Sequence, residues 1–186
     1  MNLFFRLLRV FLLRAFRPRL HVLDDAVTTF RVWPTDLDVN RHMTNGKYFS
    51  VMDVARVDLM VRSGLIGPLR TAGIFPLVAS QTLRYRRALA PFARFQVRTR
   101  MLGWDERFLY VQQTFERGGE AVASAIVKGI FMRKSGGRVL PAEVLRLAGL
   151  SGDERRLPDW VCQWVESEDA AWEHAQEAEV QASPAP

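Results

Sequence analysis

Residues 33–48 read Trp33-Pro34-Thr35-Asp36-Leu37-Asp38-Val39-Asn40-Arg41-His42-Met43-Thr44-Asn45-Gly46-Lys47-Tyr48, and the chain runs on as Phe49-Ser50-Val51-Met52-Asp53-Val54-Ala55-Arg56. From Asn45 the apolar positions Tyr48, Val51, Met52, Ala55 and Leu59 recur at the spacing of one helical face, which predicts a helix over residues 45 to about 62. Ahead of it lies a polar loop with two aspartates, a histidine and asparagine. A helix start carries backbone N–H groups without intrahelical partners and the positive end of the helix dipole. Such donors can hold a carbonyl oxygen as it gains negative charge. A nearby carboxylate can activate water or attack directly. These are the parts of acyl-transfer hydrolysis. The same residue types also cap loops, and a lone histidine beside a helix start is commonly structural, so residue types alone leave both readings open.

Working outward, residues 26–33 (Ala-Val-Thr-Thr-Phe-Arg-Val-Trp) are β-branched and aromatic and read as a strand. After the helix, Gly64, Gly67, Pro68 and Gly73 mark a loop region. From about residue 78 the period becomes two, with Leu83 and Tyr85 on one face and Arg84 and Arg86 on the other. Ala90-Pro91 turns the chain. Then Ala93, Phe95, Val97, Thr99 and Met101 alternate with Arg94, Gln96, Arg98 and Arg100, as expected of a half-exposed antiparallel strand. Strands at about 107–117 and 120–133 flank Gly118-Gly119, a hairpin signal. The order β, α, β, β, β, β predicts an α+β domain with an antiparallel sheet around or against one long helix.

The 186 residues are 48% hydrophobic and 25% charged, which suits one domain with extensions. That composition excludes a mostly disordered chain and a multi-span membrane protein. The single cysteine, Cys162, excludes an internal disulfide and a cysteine-rich zinc site, and His21 and His174 have no metal-ligand spacing. The net charge of +6 divides into +5 over residues 1–20, +8 over 21–150 and −7 over 151–186.

In the basic lead, Arg6, Arg9, Arg14 and Arg17 fall within about 140° of a helical wheel, with Phe4, Leu7, Leu8, Phe11, Leu12, Ala15 and Phe16 on the other side. Pro18 stops the helix. The apolar run is too interrupted for a bilayer span or a signal peptide. It is expected to lie in the plane of an anionic membrane surface through residues 2–17; a helix packed on the body or on a second subunit stays open. The tail from 158 to about 180 is expected to form an acidic helix docked by Trp160 and Trp164, with a disordered end at 183–186. The chain thus divides into a lead over 1–20, a domain over 24–150 and a tail over 151–186.

No GxSxG, HExxH, P-loop or GxGxxG motif is present. The order of residues in the quoted stretch resembles the entrance of the hotdog-fold acyl-CoA thioesterases of the 4-hydroxybenzoyl-CoA thioesterase type. Their pattern is roughly D-x-D-x-x-G-H-V-N-N-x-x-Y, then an acidic residue, a small residue and arginine. Asp36, Asp38, His42, Asn45, Tyr48, Asp53, Ala55 and Arg56 match it. Arg84-Tyr85-Arg86-Arg87, the run from Phe95 to Arg100, Gly103-Trp104-Asp105-Glu106, Leu157-Pro158 and Trp164 resemble the membrane-anchored thioesterase superfamily member 6-like branch. Arg41 stands where the pattern has glycine, a residue that accepts positive φ, and Thr44 where it has the first asparagine.

The resemblance implies a hotdog fold, an antiparallel sheet wrapped around a central helix, over about residues 24–134. It implies Asp38 as the catalytic carboxylate, with Asn45 at the helix start and His42 in the site. Tyr48, Asp36, Arg84, Arg86 and Arg87 are the expected substrate contacts, the arginines meeting the phosphates of coenzyme A. No metal is expected, and no cofactor beyond the coenzyme A of the substrate. Homodimers or higher homo-oligomers are implied, with the thioester between protomers, in a cytoplasmic protein peripheral to the inner face of the membrane. The expected activity is acyl-CoA thioester hydrolysis; a non-catalytic acyl-CoA or lipid-binding module at the membrane is the alternative. A hydratase fits less well, because those enzymes use a different local pattern. Nucleic-acid binding is not expected, because aromatics do not interleave the arginine ladder.

Overall fold

The computed structural model describes residues 3–152 and 155–182; the end expected to be disordered, 183–186, lies outside the described residues. Helix α2 (Asn45–Arg62) is the hub. Its Val51, Met52, Val54 and Ala55 are fully buried against the inner face of an antiparallel sheet. The strands are β1 (Ala26–Arg31), β2 (Ile74–Tyr85), β3 (Arg94–Trp104), β4 (Leu109–Arg117) and β5 (Glu120–Arg133). They lie in the order β1-β3-β4-β5-β2, with a short β6 (Arg138–Val139) on β5. This is the α+β arrangement expected, with one sheet on one long helix.

The alternation seen in the sequence decides which face of each strand meets α2. In β3, Phe95, Val97, Thr99 and Met101 turn inward while Arg94, Gln96 and Arg100 stay exposed. Phe30, Phe95 and Phe115 stack across β1, β3 and β4 with ring centroids 5.7 and 5.9 Å apart. Tyr48 closes the row 4.9 Å from Phe115. Gly118 and Gly119 both take positive φ in the β4–β5 turn, as a two-residue hairpin loop requires.

Three stretches differ from expectation. β2 begins at Ile74 and includes Pro76, which an edge strand tolerates because one row of its N–H groups is unpaired in any case. The region read as loop holds α3 (Ile66–Thr71), and α4 (Pro141–Leu147) follows β6 in a stretch to which the sequence assigns no element. Helices of six and seven residues are too short to give a readable period. Their Leu69, Val144 and Leu145 close a second apolar cluster with Ile74, Met101 and Phe131. Helix α5 (Asp159–Ala182) lies on the outer face of the sheet, where Val161, Trp164 and Val165 pack on Leu102, Tyr110 and Ile126. Lys128 reaches Glu168 and Asp169. Trp164 docks the helix as expected, whereas Trp160 is exposed.

Helix α1 (Leu3–Leu13) packs on α2 and continues in a short 3-10 turn along the free edge of β1. Its arginines do not form one solvent-facing row. Arg6 is 4% exposed and ion-paired to Asp36, and Arg17 is ion-paired to the buried Asp58. Arg6 also donates to the Arg31 carbonyl at 3.5 Å, and Arg17 to the Val27 carbonyl at 2.6 Å. A forked guanidinium can serve a buried carboxylate and a strand carbonyl together, and a helical wheel carries no trace of such distant partners. The segment therefore covers the β1 edge of the sheet. The other edge, β2, pairs with no further strand among the described residues and exposes Phe75, Leu77, Val78 and Tyr85. On the opposite side of α1, Phe4, Phe5, Leu8, Phe11 and Leu12 are exposed, and Phe16 follows in the 3-10 turn.

Candidate active site

The loop of residues 34–44 is a tight hairpin closed by a bridge between Leu37 and Met43. Asp36 accepts the Thr44 N–H on its carbonyl at 2.9 Å, so the loop delivers the chain to the start of α2 at a fixed point. At the tip, Asp38 is exposed, and its Oδ1 accepts the backbone N–H groups of Asn40 at 2.9 Å and His42 at 3.1 Å. Its second oxygen has no partner among the described residues. Asp38 thus caps its own loop and still offers a free carboxylate oxygen. Arg41 sits at φ +60°, the left-handed conformation that the family pattern gives to glycine.

Helix α2 opens at Asn45 with no side-chain cap from Thr44. The Lys47 N–H bonds the Thr44 carbonyl at 2.9 Å, while the N–H groups of Asn45 and Gly46 have no partner among the described residues. Asn45 and Gly46 are themselves exposed, and a Cβ added at Gly46 would meet nothing within 4 Å. His42 and Asn45 are exposed beside them, with no side-chain hydrogen bond among the described residues.

The other expected site residues divide. Tyr48 is 2% exposed and does not face solvent as a substrate contact would. It supports the helix start from beneath, between Phe115 and Tyr85, and burial pushes its phenol up. Asp36 is 0% exposed and sealed by Arg6, with Oδ2 also accepting the Trp33 N–H at 2.9 Å. Its place is inside the loop's support rather than at a substrate surface; a carboxylate that deep needs a cation, and Arg6 supplies it. Arg84, Arg86 and Arg87 are exposed at and just beyond the end of β2, and Arg87 pairs with Glu120. The chain then reaches Leu89, whose carbonyl accepts the Met43 N–H at 3.0 Å, so this arginine run enters against the hairpin loop.

Sequence reasoning missed two features. Tyr85, at the end of the bare strand, meets the first turns of α2; its alternation was read, its contact was not. An apolar cavity of about 350 Å³ lies between α2 and the sheet, lined by Val57, Met60, Leu77, Val78, Val127 and Gly129 among others, with Asp53 and Arg56 its charged members. Leu77 and Val78 belong to the exposed edge strand, so the cavity reaches that edge. Arg56 is ion-paired to Asp53 and donates to Gln113 Oε1 at 2.6 Å; Gln113 in turn donates to the Met52 carbonyl and Thr99 Oγ1. Burial lowers the Arg56 guanidinium and Asp53 opposes that shift. Among the described residues there is no group of histidine, cysteine and acidic side chains that could hold a metal ion. No described helix is long and apolar enough to cross a membrane.

The family model described as the thioesterase-like superfamily matches residues 32–165. The protein THEM6 of Xenopus laevis is 38% identical over 96 residues, which is 52% of this chain and 46% of that protein. The chain spans about half the length of the curated relatives it matches, the THEM6 protein of Danio rerio included. A gentisyl-coenzyme A thioesterase structure superimposes with a TM-score of 0.59 at 19% identity, covering 64% of this chain and 98% of that one. A mutant 4-hydroxybenzoyl-CoA thioesterase complexed with 4-hydroxybenzoyl-CoA gives 0.60 at 15% identity, covering 67% and 98%. The shared architecture is the hotdog fold.

Proposed function

The chain belongs to the thioesterase-like superfamily, and on that premise we propose that it hydrolyses an acyl-CoA or similar acyl thioester, water and thioester giving the free acid and the thiol. One observation carries the reading. The Asp38 loop leads directly into a helix start where Asn45 and Gly46 are exposed and their N–H groups have no partner among the described residues. Those donors are suited to the thioester carbonyl oxygen as the tetrahedral intermediate forms. Asp38 acts as the base that takes a proton from water, or attacks the carbonyl carbon itself. His42 and Asn45 border the reacting group. The apolar cavity under α2 receives the acyl group, and Arg84, Arg86 and Arg87 meet the phosphates of coenzyme A.

Two copies pair along β2. A long apolar edge strand is otherwise an open invitation to strand addition, and Tyr85 at its end packs on Tyr48 of α2, which supports a thioester site between protomers. The outward apolar side of α1 rests on a membrane surface. The test is hydrolysis of acyl-CoAs of increasing chain length by wild type and Asp38→Asn. A loss of about 10²–10⁴-fold is expected of the variant; equal rates would remove Asp38 from the mechanism. A second reading, binding of acyl-CoA without turnover, is favoured by the engagement of Asp38 Oδ1 within its own loop. Saturable binding with no hydrolysis by wild type would establish it.

A further inference from the structure

A cleft of about 590 Å³ lies between α1 and the β1 edge of the sheet, and five arginines line it: Arg6, Arg9, Arg17, Arg31 and Arg94. Two are neutralised in place, Arg6 by Asp36 and Arg17 by Asp58. Arg9, Arg31 and Arg94 have no carboxylate partner among the described residues, and no acidic residue lines the cleft. Arg31 and Arg94 are directly opposed in the β1–β3 register. Like charges facing each other across a strand pair repel. An anion placed between them removes that cost, and planar guanidinium forks match the oxygens of a phosphate.

The surroundings of the cleft select the source of the phosphate. Around α1, the exposed Phe5 and Leu12 lie within about 60° of Arg9. The exposed Phe4, Leu8 and Phe11 continue the apolar surface beyond them. A ligand that suits both parts has a phosphate at one end and hydrocarbon beside it. The family match begins at residue 32, so α1 and the whole of β1 lie outside the stretch matched by the family model.

We infer that this cleft is a phosphate-binding site for the headgroup of an anionic phospholipid, held by Arg9, Arg31 and Arg94, with the apolar side of α1 in the acyl layer. The inference rests on the membrane reading of α1 and is independent of hydrolysis. The nucleotide end of coenzyme A carries phosphate too, and the experiment separates the two sources.

The full chain is floated with vesicles of phosphatidylcholine alone and with about 20% phosphatidic acid added, comparing wild type, Arg31→Gln/Arg94→Gln, Arg94→Gln alone and Arg14→Gln/Arg19→Gln. Arg14 and Arg19 are exposed arginines of the same segment that do not line the cleft. Arg94→Gln, at an exposed position, guards against misfolding of the double variant. Wild type is expected to bind the acidic vesicles at least about tenfold more tightly. The cleft variants are expected to lose most of that preference while keeping residual binding to neutral vesicles, and the Arg14/Arg19 variant to keep the preference. Equal losses from both double variants would mean diffuse charge attraction and overturn the site. Equal wild-type binding to both vesicle types overturns the site and leaves the membrane reading standing; no binding to either overturns both. Adenosine 3′,5′-bisphosphate that binds wild type and not the cleft variant, with vesicle binding unchanged between them, overturns the lipid assignment in favour of a nucleotide.

Discussion

Tyr48, on the first turns of α2, and Tyr85, at the end of the bare strand β2, meet edge to face with ring centroids 5.0 Å apart and planes at 83°. The pair ties the helix start to the edge along which a second copy is proposed to add. Aromatic pairs of this geometry contribute about 0.5–1.5 kcal/mol beyond their buried area. A double-mutant cycle of Tyr48→Leu and Tyr85→Leu, read by urea unfolding, is expected to return a coupling in that range. A coupling near zero would mean that the two rings are neighbours without mutual support.

Arg6 and Asp36 form a buried pair beneath the Asp38 loop, with Arg6 Nε and Asp36 Oδ1 left without hydrogen-bond partners among the described residues. Breaking such a pair from one side costs about 3–5 kcal/mol, because a charge is stranded. Arg6→Met is expected to destabilise by that amount, and Arg6→Met/Asp36→Leu to recover most of it. Amide exchange adds a local readout: the His42 and Thr44 N–H groups, held by Asp38 Oδ1 and the Asp36 carbonyl, should lose protection before those of β3 and β4. Simultaneous loss in loop and sheet would place Arg6 in global stability alone.

Arg41 holds φ +60° at the tip of the same loop. A left-handed conformation costs a residue with a Cβ about 1–2 kcal/mol, and glycine adds back part of that through its freer unfolded state. Arg41→Gly should therefore stabilise the chain by about 0.5–1 kcal/mol in chemical unfolding. Destabilisation would show that the guanidinium contributes more than its backbone strain costs.

Gly129 lines the apolar cavity from an inward position of β5, flanked by the buried Val127 and Phe131. An added Cβ would meet the Leu109 carbonyl oxygen at 3.5 Å, an ordinary contact, so alanine fits. Valine projects further into the cavity. Gly129→Val is expected to lower kcat/KM for long-chain acyl-CoAs by about tenfold or more while sparing short ones. A uniform effect across chain lengths would detach the cavity from the acyl group.

Asp25 is held below the ordinary carboxylate value, chiefly by its hydrogen bond from Arg100, with the charges of Arg100 and Arg98 adding to it. Its native form therefore releases the proton more readily than its unfolded form. The stability it contributes is full above the ordinary aspartate range and disappears as pH falls through the lower native value. Asp25→Asn should be less stable than wild type at neutral pH, and the two unfolding midpoints should converge as the pH drops below about 4. Parallel curves down to the lowest pH would remove this pair from the acid limb.

Much of this architecture was legible because it is periodic. The α2 spacing, the alternation of β3 and the Gly118-Gly119 turn each report a local regularity, and the order of elements follows from them. That Asp38, His42 and Asn45 belong to one exposed loop and helix start was legible because a loop and the helix it feeds are contiguous in sequence. What escaped depends on partners far along the chain. Asp36 and Tyr48 carry the same letters whether they face a ligand or the interior, and only Arg6 and the Phe115–Tyr85 sandwich turn them inward. The cavity has no sequence signature either, since Val57, Leu77 and Gly129 come from three separate elements.

The two margins of the sheet are treated differently: the N-terminal segment closes β1 with the guanidinium groups of Arg6 and Arg17, and nothing among the described residues closes β2. A sheet open on both sides can recruit further copies without limit, each newcomer presenting the next open side. With one side covered, a copy added at β2, as proposed, would take up the open edge that the described residues leave to either molecule. On that proposal, the arginines of the lead would act as a chain terminator for strand addition. On the proposed pairing along β2, growth then ends at a finite pair.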